Sequence, residues 1–164
     1  MILAKTLSTQ GKTIFNLRQV MIKFAKQLTL FLSCFFVFNS SIAQGIIFFE
    51  GTWEAVMIEA EAQKKPIFLD AYASWCGPCK YMDAMVFPKQ RLGEYYNQNF
   101  INYKLDMEKG EGPRLAKIYK VGSYPTFLYI EANGRLIHRA IGAKSVDKML
   151  EEAGKALAKS TTGD

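Results

Sequence analysis

The stretch ASWCGPCKYMDAMVF, residues 73–87, sets Cys76 and Cys79 two residues apart around Gly77 and Pro78. It follows directly on PIFLDAYA (66–73), a continuous apolar run holding one acid, Asp70. Such a run is the pattern of a strand covered on both faces. The pair therefore stands where a strand ends and a helix begins, the helix running to about Val86. Three chemistries fit two cysteines at this spacing: half a metal site, a structural staple, or a redox couple.

Charge and cysteine count narrow the choice. The chain of 164 residues carries a formal net charge of +6. Five basic residues (Lys5, Lys12, Arg18, Lys23, Lys26) and no acid lie in residues 1–43, leaving 16 Lys and Arg against 15 Asp and Glu beyond. The basicity belongs to a leader, so nucleic acid is dropped as a partner. The leader has the parts of a secretory signal: Lys23 and Lys26, the apolar run LTLFLSCFFVF (28–38), and small residues up to Ala43. We expect translation to start at Met21 and cleavage to follow Ala43, with an uncleaved membrane anchor as the alternative. The apolar run is about half the roughly 20 residues that a spanning helix needs. Export to the bacterial periplasm or cell envelope follows as an expectation.

Removing residues 1–43 removes Cys34 and leaves one pair, Cys76 and Cys79. Zinc wants about four ligands, and beyond these thiols the only imidazole is His138, expected to pack or face solvent. No metal and no cofactor are expected. A two-residue gap closes almost no loop, so a structural disulfide would stabilise little. The redox reading has a physical basis. At a helix N-terminus unpaired N–H groups and the helix dipole favour a thiolate. Cys76 is then the nucleophile, and Cys79, one turn further in, resolves the mixed disulfide. Pro78 stiffens the turn, and its missing N–H costs nothing in a first helical turn.

Along the rest of residues 44–159 the pattern alternates. GIIFF within 44–50 reads as an edge strand or a lead-in. Trp53, Val56, Met57 and Ala60 mark an amphipathic helix that closes near Lys64-Lys65-Pro66. A helix is expected from Pro88 to about Asn97, a strand over 101–107 and a short helix over 113–119. Strands over 125–130 and 135–141 are joined at Asn133-Gly134, a strong hairpin signal. Ser145 caps a last helix whose Val146, Met149, Leu150, Ala153 and Leu157 share one face, and 160–164 is expected to be a loose tail. This order predicts an α/β domain, a central mixed sheet with helices on both faces. Tyr81, Tyr95, Tyr96 and Tyr103 are expected in the core or on half-buried surface.

WCGPCK (75–80) is similar to the active-site motif of thioredoxins, and other residues match in order over about 66–158. The resemblance implies the thioredoxin fold. It implies that Asp70 is the buried acid of the family, that Lys104 lies close to it, and that Pro125 in SYPTFLYI is the cis-proline. Asp70 is read both as a proton relay to Cys79 and as the partner of Lys104. Trp75, Gly77, Pro78 and Tyr124 are implied to border the substrate. Met107, Ile141 and Gly142 complete that rim. Two departures from cytosolic thioredoxin stand out. The stretch between Cys79 and Lys104 is longer, and Ala84 replaces a kinking proline. Phe87 looks instead like the periplasmic C-terminal domain of DsbD.

The function implied is a thiol-disulfide oxidoreductase, a monomer acting on protein disulfides. The Gly-Pro dipeptide goes with a low potential and so with a reductase, which in an oxidising compartment needs a membrane protein as electron donor. The alternatives are a disulfide oxidase or isomerase, a redox-inactive binding or chaperone module, and an intracellular thioredoxin.

Overall fold

The apolar run around Asp70 becomes β1 (Ile67–Tyr72), and its side chains divide between two cores. Phe68 packs into one, while Ile67, Leu69 and Ala71 pack into the other. β1 is central because it can be covered on both faces. It runs parallel to β2 (Ile101–Asp106), with Asp70 opposite Lys104, and antiparallel to β3 (Thr126–Ile130). β3 pairs in turn with the antiparallel β4 (Leu136–Ile141), for a sheet order of β2-β1-β3-β4. The mixed sheet is the one expected.

The computed structural model describes residues 21–23, 26–27 and 44–160. The chain divides into two compact units, Met1–Ile42 and Ala43–Asp164. In the first, residues 21–23 and 26–27 are helical. The rest of the expected leader, with its cleavage point at Ala43, and residues 161–164 of the expected tail lie outside the described residues. Among the described residues no helix is long and apolar enough to cross a membrane.

Helices cover both faces of the sheet. α1 (Trp53–Gln63) starts where the Thr52 hydroxyl accepts the Ala55 N–H at 3.3 Å, and it ends at Lys64 in the left-handed region. α2 (Gly77–Tyr81) continues without a break into a π-helical turn, Met82–Val86. α3 (Gln90–Asn99), α4 (Gly112–Ile118) and α5 (Val146–Ser160) complete the set. Phe68, Phe127 and Tyr129 pack against Met82, Val86, Leu92, Tyr96 and Met149 on one face. Ile67, Leu69, Leu128 and Ile130 pack against Trp53, Val56 and Leu115 on the other. Tyr96 is fully buried, yet its hydroxyl bonds the Tyr129 hydroxyl at 2.7 Å and donates to the Met149 carbonyl at 2.8 Å. That pairing removes the penalty for burying a phenol.

Three expectations need adjustment. The helix expected from Pro88 begins at Gln90 with Lys89 as its cap, because Pro88 sits in the preceding turn. Asn133-Gly134 does not make a two-residue turn. Gly134 alone of the pair has positive φ (86°), its N–H bonds the Glu131 carbonyl at 2.8 Å, and Glu131 N–H bonds Arg135. This is the turn-plus-bulge hairpin loop. Ser160 belongs to α5 rather than to the tail, and its hydroxyl donates to Glu131 at 2.7 Å.

Of the two readings offered for Gln44–Glu50, the structure shows the lead-in and not a strand of the sheet. It lies along the β2 edge as a strap. Phe49 N–H donates to the Asn102 carbonyl at 2.7 Å, and the Asn102 side chain returns a bond to the Ile47 carbonyl at 3.2 Å. An open edge is thereby covered. Ile46 and Phe48 turn to one core and Phe49 to the other. Close approach requires glycine here: a Cβ on Gly93 would lie 2.2 Å from the Gln44 carbonyl oxygen. Gly93→Ala is expected to lower stability by about 1–3 kcal/mol through overpacking, read as the urea midpoint. It should also cost the Ile46–Phe49 amides their exchange protection. An unchanged midpoint with full protection would mean that the strap does not need this contact.

Candidate active site

Between β1 and α2 the chain turns through Ala73–Trp75, where Cys76 N–H bonds the Ala73 carbonyl at 3.0 Å. Cys76 is the cap of α2, and its sulfur accepts the Cys79 N–H at 3.1 Å. The two cysteines form a disulfide with their Cα atoms 5.3 Å apart. Both are 2% exposed. The N–H aimed at the first sulfur is the group that would hold a thiolate there once the bond is reduced. Gly77 and Pro78, both exposed, form the first turn between them.

Beneath the sheet surface, Asp70 is 1% exposed and its Oδ2 lies 3.2 Å from Lys104 Nζ. Its other oxygen has no hydrogen-bond partner. Burial pushes its pKa up to about 6, the Lys104 cation pulls it back, and Asp83 pushes the same way as burial. Lys104 is shared, since it also pairs with Asp83. Sequence reasoning does not single out Asp83. Its spacing of one turn beyond Cys79 is the available signal, and only the Asp70–Lys104 register gives that spacing meaning.

On the other side of the pair, the Tyr124–Pro125 peptide bond is cis, as expected. Tyr124 packs on the cluster of Ala73, Cys76 and Cys79. Trp75, 66% exposed, stands edge-on to Tyr124 with ring centroids 5.9 Å apart, and its Nε1–H donates to Glu108 at 2.8 Å. Gly142, at φ 81°, donates its N–H to the Pro125 carbonyl at 2.8 Å, which draws the exposed Ile141 beside the proline loop. The structure thus joins Tyr124 to the cysteines directly, Trp75 to Tyr124, and the Ile141–Gly142 loop to Pro125. Met107 does not join them. It is 2% exposed and packs with Trp53 and Leu115, because Met107 N–H extends the sheet by bonding the Tyr72 carbonyl at 2.8 Å. It is a core residue and offers no surface to a substrate.

Among the described residues no cluster of His, Cys, Asp or Glu could hold a metal ion. His138 pairs with Glu152 and stacks on Tyr129 at 5.7 Å.

The family model described as a thioredoxin-like domain matches residues 53–157. The chain belongs to the thioredoxin-like family. It is similar to thioredoxin-1 of Drosophila melanogaster, 44% identical over 79 residues, which are 48% of this chain and 68% of that one. Among solved structures it is similar to a proposed disulphide-isomerase from Bacteroides thetaiotaomicron. That match has TM-score 0.64 and 38% identity, and it covers 71% of this chain and 97% of the other. The fold also matches the oxidised C-terminal domain of DsbD from Neisseria meningitidis, with TM-score 0.56 and 24% identity over 67% of this chain and 99% of that one. With the Cys76–Cys79 disulfide at the family's position, this thioredoxin-like protein is a thiol-disulfide oxidoreductase that acts on protein disulfides.

The Asp70 environment has a direct consequence for stability. Its folded pKa of about 6 lies above the ordinary 3.8, so between those values the folded state holds more protons than the unfolded chain. The contribution of Asp70 therefore falls as pH rises from about 4 to about 6 and stays low above that. Two pKa units correspond to about 3 kcal/mol. Asp70→Asn should match the parent near pH 4 and exceed it by up to about 3 kcal/mol at pH 7.5. Urea unfolding of the oxidised proteins at both pH values measures this. A difference that stays constant or shrinks with pH would count against it.

Proposed function

We propose that this thioredoxin-like protein is an exported reductase of protein disulfides. The observation that carries the reductive chemistry is the Cys79 N–H bonded at 3.1 Å to the Cys76 sulfur at the start of a helix. That donor favours a Cys76 thiolate, which attacks one sulfur of a substrate disulfide and expels the other as a thiolate. Cys79 then gives its proton to Asp70 and attacks the Cys76 sulfur. The second substrate thiolate leaves, and the protein keeps the Cys76–Cys79 disulfide, oxidised by the two electrons the substrate has gained. A buried carboxyl with a pKa of about 6 and one unpartnered oxygen suits the relay. Lys104 positions it.

The substrate segment lies in extended form against the backbone of Tyr124–Pro125, between Trp75 and the Ile141–Gly142 loop. Recognition by backbone tolerates many sequences. The basic, apolar leader and its small residues before Gln44 support export to the periplasm or envelope. In that oxidising compartment a membrane protein returns the electrons. Isomerase action is a second reading, favoured by the 38% identity to the Bacteroides protein.

Three measurements test this. The protein should accelerate insulin reduction by dithiothreitol, Cys76→Ser should abolish the acceleration, and Cys79→Ser should accumulate a mixed disulfide. A binding module would show no acceleration at all. The Cys76–Cys79 potential should fall near about −270 mV, and a value near about −120 mV would make the protein an oxidant. Protein recovered from the envelope should begin at Gln44, whereas uncut chain in the cytoplasm would overturn export.

A further inference from the structure

The strap Gln44–Glu50 lies outside the matched family domain, which begins at Trp53. It nonetheless reaches the ion cluster behind the cysteines. The Lys104 ammonium lies 4.5 Å from the ring centre of Tyr72, 5.6 Å from that of Phe87 and 5.9 Å from that of Phe48. These distances are within the range in which a ring face attracts a cation. Phe48 is seated edge-on to Phe87 at 5.4 Å. Ile46 N–H bonds the Phe87 carbonyl at 2.8 Å, and the Asn97 side chain holds both the Ile47 N–H at 2.9 Å and the Gly45 carbonyl at 3.0 Å. A cavity of about 390 Å³ runs along this wall, lined by Gly45, Ile46, Phe48, Asp83, Phe87 and Lys104 among others. Water therefore comes up to Asp83, whose side chain is 43% exposed, while Asp70 behind Lys104 is 2% exposed.

We propose that Phe48 is a positioning residue of the redox site. With Tyr72 and Phe87 it walls the Lys104 ammonium where Asp70 and Asp83 share it, and it keeps Asp70 out of solvent. A segment outside the matched domain thus sets the proton affinity of the acid inside it. Burial is the largest influence on Asp70, and Lys104 from β2 and Asp83 from the π turn are the charged groups that act on it. Thinning the wall admits water to Lys104 and Asp70, which weakens the burial effect first. The consequence for catalysis rests on the relay role of Asp70 proposed above.

The test follows the Asp70 carboxyl carbon by NMR titration in the oxidised full chain. Phe48→Ala should lower the Asp70 midpoint by roughly one pH unit, toward the ordinary carboxylate range. Phe48→Leu, which conserves most of the volume and so guards against loss of the fold, should move it the same way by less. Phe49→Leu loosens the same strap in the opposite core, away from the cavity that Lys104 lines, and should leave the midpoint in place. Folded Phe48 variants with an unmoved midpoint would overturn the proposal, as would an equal shift in Phe49→Leu. The rate at which Cys79 resolves a preformed Cys76 mixed disulfide, followed against pH, separates the two readings. A midpoint that moves while this profile stays still removes the relay and leaves the positioning by Phe48 in force.

Discussion

A carboxyl group in the middle of a fully covered strand is the constraint around which this protein is built. Asp70 has sheet on both sides, β2 and β3, and helices over both faces, so its charge has no access to bulk water. Burial of an unpaired carboxylate costs several kcal/mol, and the group answers by holding its proton more tightly. The parallel register of β1 and β2 places Lys104 directly opposite. That cation compensates part of the cost and leaves an acid whose pKa is raised only to about 6.

The cysteine pair depends on the same strand. β1 delivers the chain to Ala73–Trp75, and Cys76 caps the helix that follows. Tyr124, which packs on the pair, lies before β3 with Pro125, and Ile141 and Gly142 lie at the end of β4. A single backbone bond from Gly142 to the Pro125 carbonyl fastens these two loops together. The rim is therefore set by the β3–β4 ladder, and the sulfurs by the strand-to-helix junction.

The strap adds a layer to that arrangement. It covers the open edge of β2, and glycines at 45 and 93 let it lie directly on α3 and the Phe87–Pro88 turn. By bringing Phe48 to Lys104 it joins edge protection to the ion cluster. Asp83, one turn beyond Cys79, completes a row of acid, base and acid that leads from the core toward solvent.

Much of this was legible in residue order. WCGPCK, the lone acid in PIFLDAYA, Lys104 in the next strand and Pro125 at the head of PTFLYI mark both the fold class and the centre of the site. Their patterns are local, and strand burial, helix capping and turn chemistry act over a few residues. The hairpin signal at Asn133-Gly134 was sound, though the turn it makes depends on the bulge that the β3–β4 register imposes. Contacts between segments distant in the chain were not legible. Met107 reads like a rim residue by its place after β2, but the bond to Tyr72 turns it into the core. Asp83 and Phe48 carry no motif, and they matter because Lys104 lies between them in space. Sequence by itself determined the chemistry of the pair and the order of the elements around it. Tertiary structure alone decided which side chains share a cation, because that depends on strand register and on the close approach of the strap, and neither leaves a local pattern.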